Sequence, residues 1–382
     1  MILAIDVGGT KMAAGLVTRD GTVAAARSAA TPQGADAETL WRTLAGLVSP
    51  LASSAEGVGV GCGGPLTWPD GEVSPLNIPG WRGFPLRARL AALFPSVPVR
   101  LHNDAVCLAV AEHWLGAGRG SDDMLGMVVS TGVGGGLILN GRLLHGRTGN
   151  AGHIGHVVVE PAGGPRCGCG GHGCLEAVAR GPALVAWALE QGWVPGAVPG
   201  AVPGVVPGTV ARDVACDVAH EVAVAGAIPG AGDVAVASVA VPQVVGDGVA
   251  GGGAAGSGAY PEDGSGAYPE DRVVTARQLA ADARAGDPIA SRALRRAGRA
   301  LGVAIASATH LCDLDVITIG GGLSQAGEPL FGPLEEALRE HARMGFARRV
   351  KVLPAALGQE AGLIGAAALL LSGDTYWPAQ DA

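Results

Sequence analysis

Three short apolar runs in this 382-residue chain each end in a cluster of glycines, and this pattern is its strongest constraint on fold. The first run, residues 2–7, leads into Asp6-Val7-Gly8-Gly9-Thr10-Lys11. The second, 124–130, leads into Ser130-Thr131-Gly132-Val133-Gly134-Gly135-Gly136, and the third, 316–319, into Gly320-Gly321-Gly322. An apolar run closed by glycine reads as a buried strand running into a turn. After the first turn, 12–17 reads as a second strand, followed by an Asp20-Gly21 turn and a short strand at 22–25. After the second, 137–139 continues as a strand into Asn140-Gly141, a hairpin signal. Two copies of strand, glycine turn and strand predict an α/β protein of two related lobes with a cleft between them.

The remaining elements fit this plan. Helical spacing is seen at 37–51, 104–115, 276–285 and 289–310, and short buried strands at 57–61 and 99–102. The N-terminal lobe is expected over 1–115, joined by a C-terminal helix near 358–372, and the second lobe over 116–357. One stretch departs from it. A Val-Pro-Gly unit recurs from residue 194 to 209, and Gly-Ser-Gly-Ala-Tyr-Pro-Glu-Asp occurs twice in tandem over 256–271. Pro and Gly at that density disfavour helix and ladder, so 194–272 reads as a low-complexity, disordered insertion.

Charge and cysteine usage narrow the function classes. A net charge of −8 argues against a general binder of nucleic acid or anionic membranes. No signal peptide or bilayer-spanning run is read, and a cytoplasmic protein is expected. Seven cysteines is an odd number, and three crowd between 167 and 174, which favours thiolate–metal chemistry over disulfides. His156, Cys167, Cys169 and Cys174 make up a Cys₃His set of the kind that closes around a structural Zn²⁺. His172, inside that loop, is expected to face solvent.

The glycine turns suit phosphate chemistry. In the first, backbone N–H groups at Gly8 and Gly9, with Thr10 and Lys11, can face phosphate oxygens, and Asp6 can hold Mg²⁺. Thr131, Gly132 and Gly134 offer the same logic in the second turn. Gly321 and Gly322 in the third let a flat purine or ribose lie against backbone. His102-Asn103-Asp104 lies between a strand and a helix. A carboxylate there can orient a sugar hydroxyl and accept its proton, or Asn103 or Asp104 can simply cap the helix.

Taken in order, these segments resemble the ROK family of bacterial sugar kinases and sugar-responsive repressors. The matching stretches are AIDVGGTK, HNDA, STGVGGG, GNAGHIGH through CGCGGHGCLEA, and IGGGLSQAG. The resemblance implies a two-lobed actin-like ATPase (ribonuclease H-like) fold, ATP with Mg²⁺ and structural Zn²⁺, and a hexose substrate. It implies Asp104 as general base, and sugar contacts from Gly64, Asn103, Asp104, His153, His156 and Glu176. His156 would then serve both metal and sugar. It further implies a homodimer or homotetramer.

One position departs from the family pattern. Where most family kinases have Gly-Glu-x-Gly-His, this chain has Gly152-His153-Ile154-Gly155-His156. A neutral His offers one donor and one acceptor where Glu only accepts. Bacterial N-acetylmannosamine kinases resemble this chain there, so an N-acylhexosamine stands beside glucose as the expected substrate. A repressor would carry a DNA-binding segment ahead of the first strand, and none is read before Met1. A silent sugar-binding regulator would be marked by loss of Asp104 or the glycine turns, and all are present.

Overall fold

The computed structural model of the chain describes residues 1–197 and 274–377. The low-complexity reading of 194–272 therefore lies outside the described residues beyond Ala197.

Two five-stranded sheets carry the architecture. In the first, β1 (Ile2–Val7) lies between β2 (Lys11–Val17), antiparallel, and β4 (Gly57–Cys62), parallel. Its outer strands are β3 (Val23–Ala30) and β5 (Val99–Asn103). In the second, β6 (Met124–Val129) lies between β7 (Val133–Leu139), antiparallel, and β9 (Val316–Gly320), parallel. Its outer strands are β8 (Arg142–Leu143) and β10 (Lys351–Pro354). The two sheets share one strand plan: an antiparallel triplet extended by two parallel strands. The doubling seen as strand, glycine turn and strand is thus a doubling of the whole sheet.

Helix α3 (Asp104–Trp114) follows β5 directly, and every residue from Ala105 to Glu112 is buried. A helix buried on all sides needs close neighbours with little side chain. The second sheet supplies them as glycine. A methyl on Gly126 would lie 2.5 Å from the Ala109 Cα, one on Gly134 2.7 Å from the Ala105 Cβ, and one on Gly136 2.9 Å from the Val106 Cα. This corrects the reading of 134–136 as part of a turn. These glycines belong to β7, and Gly134 and Gly136 are small because α3 lies on them, while Gly135 faces Ile154 and the Gly126 and Gly152 carbonyls. Helix α9 (Ala361–Leu371) meets α3 just as closely. A methyl on Gly365 would lie 1.7 Å from the Cys107 carbonyl oxygen, and one on Gly59 of β4 1.9 Å from that of Ala366.

Other differences have local causes. The helix expected over 37–51 ends at Val48 as α1 (Ala37–Val48), and a 3-10 helix (Ser49–Ser54) follows around Pro50, which cannot donate to a continuing helix. The strand expected at 22–25 runs on to Ala30, because pairing with β2 holds its largely exposed residues. Helices α2 (Leu86–Leu93), α4 (Leu175–Ala179) and α5 (Gly181–Glu190), and strand β10, have no counterpart in the sequence reading. The expected C-terminal helices are α6 (Ala276–Arg284) and α7 (Pro288–Cys312), with α8 (Glu328–His341) packed along α7. Gly298 and Gly302 of α7 allow that packing, since a methyl on either would lie within 2.5 Å of an α8 carbonyl oxygen.

The far end of α3 is fixed by one carboxylate. Glu112 is fully buried, and its side chain accepts from the N–H groups of Ala117 (2.8 Å), Ala356 (3.0 Å) and Leu357 (2.9 Å). It thereby ties the loop before α9 to α3. Replacing Glu112 with Leu leaves these donors without that partner, and we expect a stability loss on the order of 3 kcal/mol in denaturant unfolding. A loss below about 1 kcal/mol would mean that the loop does not depend on this carboxylate.

Candidate active site

The junction of β5 and α3 shows which of Asn103 and Asp104 caps the helix. Asn103 is the N-cap, and its side-chain oxygen accepts from the Ala105 N–H at 2.9 Å. Asp104 is therefore the first helical residue rather than the cap. One of its oxygens also accepts from the Ala105 N–H, at 2.9 Å. Burial, and then the Glu176 charge, push the Asp104 carboxyl above its usual range, which makes it a stronger proton acceptor than a free carboxylate.

With its oxygen used in the cap, Asn103 turns its amide NH₂ toward Gly64. A methyl on Gly64 would lie 2.9 Å from Asn103 Nδ2 and 3.1 Å from His153 Nε2. Gly64, Asn103 and His153 thus meet at one point, from three separate parts of the chain. Asn150 stitches the Gly64 loop to the His153 segment: it accepts from the Leu66 N–H (3.1 Å) and donates to the Leu66 carbonyl (2.8 Å). Burial, then the nearby His156, hold the His153 pKa below its usual value, so this ring is neutral at pH 7.

Glu176, in the first turn of α4, reaches the second glycine turn. Its Oε2 accepts from the Val133 N–H at 3.0 Å, and a methyl on Gly132 would lie 2.8 Å from that oxygen. The Gly8 N–H donates to the Lys11 carbonyl at 2.9 Å and closes the first turn, so it is engaged within the turn rather than facing a phosphate as the sequence reading had it, and Thr10 and Lys11 are exposed. Asp6 stands at the end of β1, in register with Gly61 of β4. Burial, then Asp104, push its carboxyl up to about 7, partly offset by Lys11. A cation here would stabilise the charged form that burial and Asp104 oppose.

The second and third turns are neighbours, because β6 and β9 run parallel. Gly321 has φ 89°, and a methyl on it would lie 2.4 Å from the Val129 carbonyl oxygen. Only glycine fits that combination. A short 3-10 helix (Gly322–Ala326) follows, and α8 begins only after it, so no α-helix N-terminus adjoins the Gly320–Gly322 turn. Thr131 is exposed beside this pair of turns. Gly134 lies inside β7, so its place in the phosphate turn is not supported by its position.

The Cys₃His set comes together. The ligand atoms of His156, Cys167, Cys169 and Cys174 all lie within 4.8 Å of one another. Cys169 Sγ and Cys174 Sγ are 3.8 Å apart, and Cys167 Sγ is 3.6 Å from His156 Nδ1. A tetrahedral ion with bonds of about 2.3 Å to sulfur and about 2.0 Å to nitrogen needs edges of about 3.8 and 3.5 Å. The donor set therefore fits a closed tetrahedral ion. His156 meets the thiols with Nδ1, which leaves Nε2 on the other side of its ring. His172 is exposed, as expected.

Two features of the site went unread in the sequence. Asn77 lies between the first turn and the Gly64 loop: methyls on Gly9 and Gly63 would lie 2.6 Å from its Nδ2 and 3.4 Å from its Oδ1. The Pro79-Gly80 turn signal before the buried Trp81 marks the loop that carries it. The second is a bond between His102 and His145, whose partners stand 43 residues apart with no local pattern linking them.

Two duplicated sheets, with glycine turns at their strand ends and a carboxylate between them, define a two-lobed actin-like ATPase fold. A family model described as the ROK family matches residues 2–201 and 252–372. The chain belongs to that family. It is 31% identical to the glucokinase of Thermotoga maritima over 97% of this chain and 96% of that one. It is 43% identical to the N-acetylmannosamine kinase of Escherichia fergusonii, over 51% of this chain and 66% of the relative. Among solved structures, a ROK family glucokinase from Streptomyces griseus in complex with glucose and AMPPNP matches with a TM-score of 0.69 and 28% identity, covering 97% of this chain and 99% of that one. Among the described residues, no helix is long and apolar enough to cross a membrane.

Proposed function

We propose that this chain is an ATP-dependent hexose kinase that phosphorylates the 6-hydroxyl of glucose. The observation that carries this reading is the division of labour at the head of α3. Asn103 caps the helix, and Asp104 is left as a carboxylate of raised pKa among Asp6, Glu176 and the glycine turns. The sugar lies against Gly64, Asn103, His153, His156 and Glu176. Asp104 orients the 6-hydroxyl and takes its proton as the oxygen attacks the γ-phosphorus of ATP, and the bond from that phosphorus to the β,γ-bridging oxygen breaks to release ADP. The turns at Gly9–Lys11 and Thr131–Gly132 face the phosphates, Gly321 and Gly322 lie along the adenosine, and Asp6 would hold Mg²⁺. Bound Mg²⁺ neutralises charge on the phosphate oxygens.

The donor set at His156, Cys167, Cys169 and Cys174 is read as a structural Zn²⁺ site. With Nδ1 toward the metal, His156 presents Nε2 for a sugar hydroxyl, so the metal loop would hold a sugar-binding side chain in place.

A second reading, an N-acylhexosamine such as N-acetylmannosamine as substrate, rests on His153. A neutral ring that can both donate and accept suits an acylamino group as well as a hydroxyl. Similarity to N-acetylmannosamine kinases supports it over half the chain.

An ADP-release assay with glucose, mannose, N-acetylmannosamine, N-acetylglucosamine and fructose separates these readings. We expect ATP-dependent turnover that is highest with glucose. Preference for N-acetylmannosamine would establish the second reading, and no turnover with any hexose would contradict both. Metal analysis of the purified protein should find about one zinc per chain. An active, stable, zinc-free protein would remove the metal assignment.

A further inference from the structure

Behind the Asp104 turn lies a pair of histidines that no step of the proposed reaction uses. His102, the penultimate residue of β5, is fully buried. Its Nδ1 accepts from the Asn103 backbone N–H at 2.9 Å, and its Nε2 lies 3.1 Å from Nδ1 of His145. An acceptor at Nδ1 requires the proton of a neutral ring to sit on Nε2. His102 therefore donates from Nε2, and His145 accepts at Nδ1.

His145 follows β8 of the second sheet, so this bond joins the two sheets behind the site. Its backbone faces the sugar side: the His145 carbonyl accepts from the Ala151 N–H at 3.1 Å, two residues before His153. Trp68, from the loop that begins at Gly64, packs against both rings, at 5.5 Å from His102 and 4.7 Å from His145. Trp377 closes the cluster at 4.6 Å from Trp68. Segments bearing Gly64, Asn103-Asp104 and His153 thus converge on one aromatic cluster that contains the His102–His145 hydrogen bond.

We propose that His102 and His145 are positioning residues, which fix the Asn103-Asp104 turn relative to the Gly64 and His153 segments through one directed hydrogen-bond chain. The chain runs from the Asn103 N–H to His102 and on to His145. The proposal rests on the reading of Asp104 as the base. Burial, followed by the neighbouring His145 and His153, holds the His102 pKa at about 3, so the ring keeps its neutral tautomer at physiological pH. A misplacement of about 1 Å between base and acceptor hydroxyl is enough to lower turnover by about a hundredfold.

Isosteric variants of the full chain test the proposal, because Asn places an acceptor near the Nδ1 position and Gln places a donor near the Nε2 position. His102→Gln loses the acceptor for Asn103, and His145→Phe loses the acceptor for His102. We expect each to lower kcat about tenfold or more, with sugar Kd changed by less than about threefold. His102→Asn, which keeps the acceptor for Asn103 but loses the donor to His145, should lower kcat to the same extent as His145→Phe. Each measurement uses glucose, or N-acetylmannosamine if the wild type prefers it, together with the thermal midpoint to follow folding. Asp104→Asn is assayed in parallel. Wild-type kcat in His102→Gln and His145→Phe beside an inactive Asp104→Asn overturns the positioning proposal alone. Wild-type kcat in His102→Asn beside a slowed His145→Phe overturns it too. An active Asp104→Asn overturns the base reading, and this proposal with it.

Discussion

The burial of α3 between the two sheets is the constraint on which the rest depends. The helix has no solvent-facing side from Ala105 to Glu112. Its neighbours make room with glycine: Gly126, Gly134 and Gly136 on the second sheet, Gly61 on the first and Gly365 on α9. A helix held this tightly cannot slide, so the residue at its head is delivered to a fixed point. That residue is Asp104. The other end is fastened by Glu112 to the loop before α9. A single buried helix therefore connects the candidate base, both sheets and the closing helix of the chain.

The Cys₃His loop is joined to the same frame from the other side. Val158 and Cys174 form a strand-like bridge, and the Leu175 N–H bonds the Val157 carbonyl at 2.9 Å. Immediately beyond, Glu176 reaches the second glycine turn. The four donor positions of the Cys₃His set and a turn-binding carboxylate thus lie within one short stretch of chain. Glu160 anchors that stretch to α7 through paired bonds to Arg296 at 3.1 and 2.8 Å. The pair is partly exposed, so it contributes geometry more than stability.

Much of this was legible in the sequence, for identifiable reasons. The doubled sheet showed because buried strands and glycine turns have strong local signatures. The Cys₃His set showed because few other uses suit three crowded thiols and a histidine in a chain of this kind. Asp104 was ambiguous, since a cap and a base share a residue type and a location. The fold shows that Asn103 takes the cap, which leaves Asp104 free of that task. The role of Gly134 was misread because a glycine needed for a turn and one needed under a helix look alike in sequence. The contacts of Asn77 and the His102–His145 bond were not legible, because they depend on chain segments brought together only by the fold.

The central claim is that the head of α3 presents Asp104 to a sugar hydroxyl facing the γ-phosphate. The most direct measurement is a crystal structure of the chain with its hexose and a non-hydrolysable ATP analogue. The account predicts an Asp104 carboxylate oxygen about 2.6–3.2 Å from the sugar 6-hydroxyl, with that hydroxyl in line with the γ-phosphorus. An Asp104 side chain bonded only to its own helix, with another group at the hydroxyl, would contradict it.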